Sequence, residues 1–385
     1  MLALSLLAVL ATADPTITLE GVLAQRRAGP AELRAEAELG EARRAVAEVA
    51  ARQREAPVVA FEAGPRRTAG STAADVAVDL ELALLRRGGE RGELVDALAT
   101  AEGAVRSAAR ATTVRTVRDA YVDAWAAAER VRLRERDAAL VERWLALARR
   151  RVEAGADPPF EAEIVAAQLQ GARLALAQAR TAALGSWEAL RAWATLPEAL
   201  AALAEPSTPA SLGPAALDAG AMAGVVAVRA RARLAAGLLR LGAARGLSRW
   251  SLSSSLAREG DEDVAHLGFS LRWPRQGEEQ AIRSATEAEV RAVEREAEVE
   301  TTAIAARAAA ARALLRELDS APGGPDLEAI LAALEARLAE GKDRPVEALP
   351  LRREVLVQLE EALDRRIALH RAAAVLAELT TEVAP

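Results

Sequence analysis

Between Pro65 and Pro158 the chain contains no proline, and from about Glu90 to Ala154 its apolar residues recur with the period of a helix. Proline inside a helix removes a backbone donor and clashes with the preceding turn, so its absence permits one continuous element. At 1.5 Å per residue that element is about 100 Å long, against a mean globular helix of about 11 to 12 residues. A compact domain has no place for such a rod. Val114, Val117, Tyr121, Ala124, Ala128 and Val131 alternate spacings of three and four, as do Val141, Leu145, Ala148 and Val152 after a break. This is a coiled-coil seam, and its alanines let helices approach closely.

The composition agrees with rods. Hydrophobic residues make up 51% of 385, yet aromatics only 3%, so the buried area comes from Ala and Leu in long helices rather than from a bulky globular core. With no cysteine, disulfides and thiolate metal sites are excluded. A net charge of −6, with bases spread among acids, argues against a nucleic-acid partner. MLALSLLAVLATADP reads as a secretory signal, residues 1–13, cleaved after Ala13. No other window is apolar enough to be a transmembrane helix, so a membrane would have to be met with strands.

Along the chain, TITLEGVLAQ and then Pro30 to Glu55 read as helix, ended by Pro57. Val59, Phe61 and Ala63 alternate as a short strand, Gly64 to Ala73 reads as a turn, and Val76, Val78, Leu80, Leu82 and Leu84 alternate with Ala77, Asp79, Glu81 and Ala83. The rod turns at Gly155 to Pro159, and a helix from Phe160 to about Trp193 runs back. Leu196 to Gly224, with four prolines, reads as a broken linker. The second half repeats the plan: a helix from about Ala215 to Gly246, a hairpin, a helix from about Glu278 to Leu318, a Pro-Gly insert (APGGPD), and helices to about Leu379. In that hairpin Trp250, Leu252 and Leu256 lie on one face, and Leu267, Phe269, Leu271 and Trp273 continue it after a Gly260-Asp261 turn.

An internal duplication ties the halves together. RVEAGADPPFEAE from Arg151 aligns with RLAEGKDRPVEAL from Arg337, pairing Gly155 with Gly341, Asp157 with Asp343 and Glu161 with Glu347. Near the strands, Asp75, Val76, Gly89 and Glu90 pair with Asp263, Val264, Gly277 and Glu278. The expected organisation is a first repeat, 14–205, with a β-hairpin at 57–85 and a helical hairpin at 90–196. A second repeat, 206–385, has its β-hairpin at 249–273 and helices over 278–379. The fold class is mainly α with a small β part.

Four amphipathic strands per chain are too few to close a barrel, for which about eight is the smallest that fills its interior. Left open they expose an apolar face and unpaired edges. Closure is therefore expected between chains.

The order of helix, hairpin and long helix pair, repeated once, resembles the outer membrane efflux proteins, the TolC-like outer membrane factors. The resemblance is carried by TLEGVLAQ, the Pro57-led first strand, the junction FSLRWPRQG and the tips RVEAGAD and RLAEGKD, and it covers nearly the whole chain after the signal. It implies a homotrimer with a 12-stranded barrel in outer-membrane lipid and a periplasmic α-helical barrel. It further implies an exit duct that works with a periplasmic adaptor and an inner-membrane transporter, in a tripartite pump or a type I secretion system. An alternative reading from the residues is a soluble or periplasmic coiled-coil scaffold without channel activity.

The resemblance places Gly155, Ala156, Asp157, Gly341, Lys342 and Asp343 at adaptor-docking tips, although family members often carry a branched aliphatic residue where this chain has Ala156 and Lys342. It also places Glu161 and Glu347 near the closed end of the tunnel, where three chains would form a cation-attracting ring. The same glutamates equally suit first helical turns, where acids meet the helix dipole. Val76, Val78, Leu80, Leu82, Leu267, Phe269, Leu271 and Trp273 are expected to face lipid, and Asp79, Glu81, His266 and Arg272 the lumen. No nucleophile-base pair, phosphate loop or metal-ligand spacing is present, so neither enzyme activity nor a cofactor is expected.

Overall fold

A computed structural model describes residues 16–52, 58–68, 71–83, 88–207, 220, 222–243, 249–259, 262–272, 277–320, 327–340 and 344–380. The segment 1–13, Pro57, Trp273 and the second tip at Gly341, Lys342 and Asp343 lie outside these residues. The elements are α1 (Leu19–Ala24), α2 (Pro30–Arg52), β1 (Val58–Thr68), β2 (Ser71–Ala83), α3 (Gly88–Glu153), α4 (Pro159–Arg191), α5 (Ala223–Ala243), β3 (Arg249–Glu259), β4 (Glu262–Arg272), α6 (Glu278–Ser320), α7 (Leu327–Ala339) and α8 (Pro345–Thr380). The rod is α3, 66 residues without a break.

Local chemistry sets the boundaries. Helix α1 begins at Leu19 rather than Thr16, because the Thr18 hydroxyl accepts from the Gly21 N–H at 3.2 Å and caps it. Gly29 precedes α2, and the Glu32 carboxylate takes its N–H at 3.0 Å while also gripping Arg26 through two bonds of 3.0 Å. A Cβ at Gly29 would meet Thr113 at 2.7 Å, so glycine is required there by close approach.

Helix α3 ends in a Schellman motif. Gly155 adopts φ 71, the Ala156 N–H reaches Arg151 O and the Gly155 N–H reaches Val152 O, both at 2.9 Å. Pro158 and Pro159 then start α4, where a missing N–H costs nothing. Gly155→Ala, which meets no neighbour within 4 Å, is expected to cost about 1–2 kcal/mol from the left-handed backbone alone. Faster amide exchange around residues 152–158 is the measurement that checks it.

The strands form one antiparallel sheet in the order β1-β2-β3-β4. Partners in register share a face. One row runs Phe61, Val78, Leu256, Ala265; the next on that face runs Val59, Leu80, Ser254, Leu267. The alternate rows run Ala60, Asp79, Ser255, His266 and Val58, Glu81, Ser253, Gly268. The turn expected over Gly64 to Ala73 is corrected: β1 continues to Thr68 and β2 begins at Ser71. Pro65 stands in β1, the outer strand of the sheet within the chain, opposite Ala74.

The segment read as a broken linker from Leu196 is irregular over 196–207, but it is packed in place together with residues 192–195. Ile17 bridges to Leu203 and Arg26 to Ala194, and Leu203 and Ala194 are buried. The Tyr121 hydroxyl lies 2.9 Å from Ile17 O and 2.8 Å from Ala204 O, which pins this segment to α3. Burial pushes the Tyr121 hydroxyl's pKa up, so it stays a donor. Helix α5 is described from Ala223, and the start expected at about Ala215 lies outside the described residues.

Two compact units emerge, and each takes segments from both halves of the chain. In the first (Met1–Glu32, Arg110–Leu217 and Ala306–Thr381), one core joins Leu19, Val22, Tyr121, Trp125, Trp187 and Ile367, and another joins Val141, Trp144, Val165, Leu169, Leu334 and Leu338. The seam residues Val117, Tyr121, Val141 and Ala148 are buried as expected from their spacing, and Trp125 and Trp144 fill the cores beside them. In the second unit Leu39, Val46, Leu94, Val105, Leu234 and Leu241 pack together with many alanines. Two ion pairs, Arg43 with Glu102 and Arg106 with Glu36, cross from α2 to α3 on its surface.

Candidate functional site

The first tip is a knot of charge built on the turn between α3 and α4. Arg151, in the last turn of α3, holds Asp157 through two bonds of 2.6 and 3.2 Å. That arginine keeps the Asp157 carboxyl below its ordinary range, and Asp157 raises Arg151 in return. Arg344, just ahead of α8, joins the same group. Its Nε lies 3.4 Å from Asp157, its Nη2 donates to Glu161 Oε1 at 2.5 Å, and its Nη1 stands 3.8 Å from Glu347.

The two glutamates singled out in the sequence therefore meet around one shared arginine, but in different surroundings. The Glu161 side chain is only 7% exposed and that of Glu347 is 63% exposed. Among the described residues, Glu161 Oε2 is buried with no hydrogen-bond partner. A buried carboxylate with one oxygen unsatisfied depends heavily on the cation holding the other. Gly155 and Ala156 are exposed at this tip, whereas Asp157 is buried beneath Arg151.

Arg344 and Arg151 were missed by sequence reasoning. For Arg344 the available signal was a break in the repeat, since it stands where the first tip has Pro158 and so places a cation at that step in one tip sequence and not in the other.

A second charged pair lies deeper. Arg352 of α8 donates to both oxygens of Asp137 of α3 at 2.6 and 2.7 Å, with side chains 8% and 1% exposed. Around it run solvent-facing pairs between the same helices, Arg130 with Asp364 and Arg371 with Asp123 among them. Bidentate geometry fixes α8 against α3 at one level, which an apolar contact that slides would not do.

For the strand residues the register gives positions. Val76, Val78, Leu80 and Leu82 fall on the face shared with Leu267, Phe269 and Leu271; Asp79 and His266 share an alternate row with Glu81 beside it, and Arg272 stands opposite Arg249. Among the described residues no helix is long and apolar enough to cross a membrane, and no group of three or more His, Cys, Asp or Glu is arranged to hold a metal.

No protein-family model matches the sequence, and no curated protein matches it. Solved structures do match in fold. The outer-membrane channel OprN is 17% identical, with 95% of this chain and 91% of that chain covered at a TM-score of 0.69. CusC, studied for its transmembrane channel formation, is 17% identical over 95% of this chain and 92% of that chain, with a TM-score of 0.66. The Campylobacter jejuni CmeC outer membrane channel is 14% identical over 95% and 87%, with a TM-score of 0.64. With these matches spanning nearly the whole chain, this chain has the fold of the TolC-like outer-membrane channels.

Proposed function

We propose that the chain is one protomer of a trimeric outer-membrane exit duct. It passes substrates delivered by an inner-membrane transporter and a periplasmic adaptor, in a tripartite efflux pump or a type I secretion system. The observation that carries this reading is the open sheet: among the described residues β1 and β4 each pair on one side only. Three such sheets joined edge to edge give a closed barrel of twelve strands, which removes every free edge. The row Phe61, Val78, Leu256 and its neighbours then face lipid, and the row with Asp79 and His266 faces water.

The helices support the same closure. On α4 Phe160, Ile164, Ala167, Gly171, Leu174 and Thr181 form an exposed heptad stripe, while Val165, Leu169, Ala172, Ala183, Trp187 and Leu190 are buried on its other side. Ala285, Ala288, Ala292, Val299, Ala306 and Ala313 form a comparable exposed stripe on α6. A helix with two such stripes is made for two neighbours, and copies of the same chain supply the second.

At the far end Gly155, Ala156 and Asp157, with Gly341, Lys342 and Asp343, are the docking tips for the adaptor. Glu161 and Glu347 belong to the gate, held by Arg344. The duct has no catalytic role and uses no cofactor.

Purified in detergent, the protein is expected to run as a heat-modifiable trimer and to give discrete single-channel currents in a planar bilayer. A freely soluble monomer that needs no detergent would overturn the reading. Phe269→Asp, which places a charge on the lipid row, is expected to abolish trimer insertion, whereas Ser270→Asp on the alternate row leaves it intact. Normal insertion of Phe269→Asp reverses the facing.

A further inference from the structure

We infer that His370, set between Trp125 and Glu205, is an acid-released clasp: neutral, it closes the segment 192–207 onto α3 and α8, and protonated, it lets that segment loosen. The His370 side chain is 6% exposed, and its ring stands edge-on to Trp125 with centroids 5.5 Å apart and planes at 85°. Its Nε2 lies 3.4 Å from Glu205 Oε1. One helical turn away, Arg366 donates through Nε to the same carboxylate oxygen at 3.1 Å and lies 5.0 Å from the Trp125 ring centroid. Glu205 thus receives both side chains of α8 at the end of the segment that Leu203 and Ala204 fix to Ile17 and Tyr121.

The groups around the imidazole decide what a proton does there. From α3 it meets Trp125, which is uncharged; from the segment, Glu205; from α8, Arg366. Burial disfavours the imidazolium most, Glu205 favours it, and Arg366 opposes it again, so the His370 pKa lies below the ordinary histidine value. The sign follows from that direction. Between the lowered value and the ordinary value of about 6.5, the released form binds a proton and the clasped form does not. Stability present above that window is lost as pH falls through it. Nothing in this argument requires the trimer, so the clasp and the duct fail independently.

The test is hydrogen exchange across 192–207 in the full chain at about pH 7.5 and 5.5, corrected for intrinsic rates, beside a Trp emission titration. Protonated imidazole quenches indole, so wild type is expected to show a midpoint below the ordinary histidine value and a several-fold loss of protection on acidification. His370→Phe keeps a ring against Trp125 without a proton and is expected to lose both changes. Glu205→Gln is expected to move the midpoint down and Arg366→Met to move it up, opposite shifts that a merely structural role does not produce. Unchanged protection in wild type, the same acid loss in His370→Phe, or midpoints that move together overturn the clasp. Should His370→Phe fail to fold, the two opposed midpoints decide alone.

Discussion

Arg352→Met is expected to lower stability by about 3–5 kcal/mol, the cost of leaving a buried carboxylate without its partner. Asp137 is 1% exposed and both of its oxygens are held by the one guanidinium, so its charge is compensated by that side chain. The effect belongs to the stranded charge and not to the pair as such. The double variant Asp137→Leu/Arg352→Met is therefore expected to recover most of the loss, or to exceed wild type, because apolar residues of similar volume avoid the desolvation of both ions. Denaturant unfolding in detergent, run as a double-mutant cycle, measures the coupling. If the single and double variants are equally destabilised, the pair contributes packing rather than charge compensation.

A second large effect is expected at the tip. Arg344→Ala removes the one cation among the described residues that bonds both Asp157 and Glu161, while Asp157 retains Arg151. Glu161 is then buried with neither oxygen paired among the described residues, and the helix ends around it must part to let water in. In the proposed duct this reads out as a several-fold rise in resting conductance. Glu347→Gln is the control: its carboxylate is exposed and 3.8 Å from Arg344, and such contacts contribute little. Conductance that responds to Glu347→Gln and not to Arg344→Ala would place the constriction elsewhere.

The parts of this molecule that were legible in sequence are those set by local periodicity. Alternation with period two marked β2, β3 and β4, and spacings of three and four marked the rod that became α3. Gly155 signalled the tip because a left-handed residue there has few alternatives. The length of β1 was not legible. Gly64 and Pro65 are turn residues by local rule, yet β1 runs through them, paired with Asp75 and Ala74 of β2. Residues 196–207 look like a linker because their order comes from Ile17 and Tyr121, far away in the chain. The same holds for the charges. Arg344 meets Glu161 across 183 residues and Arg352 meets Asp137 across 215, and no spacing rule reaches that far.

The open sheet bears on how this molecule comes into being. Its outer strands, β1 and β4, leave rows of backbone donors and acceptors that no part of the described chain satisfies. In the proposed assembly their last hydrogen bonds are made between molecules, so barrel formation obeys mass action rather than unimolecular kinetics. The yield of finished ducts then depends steeply on how many nascent copies are present together, and a chain delivered alone has a surface that any other unpaired strand can capture. Expression level and escort before insertion thereby become part of what the sequence requires.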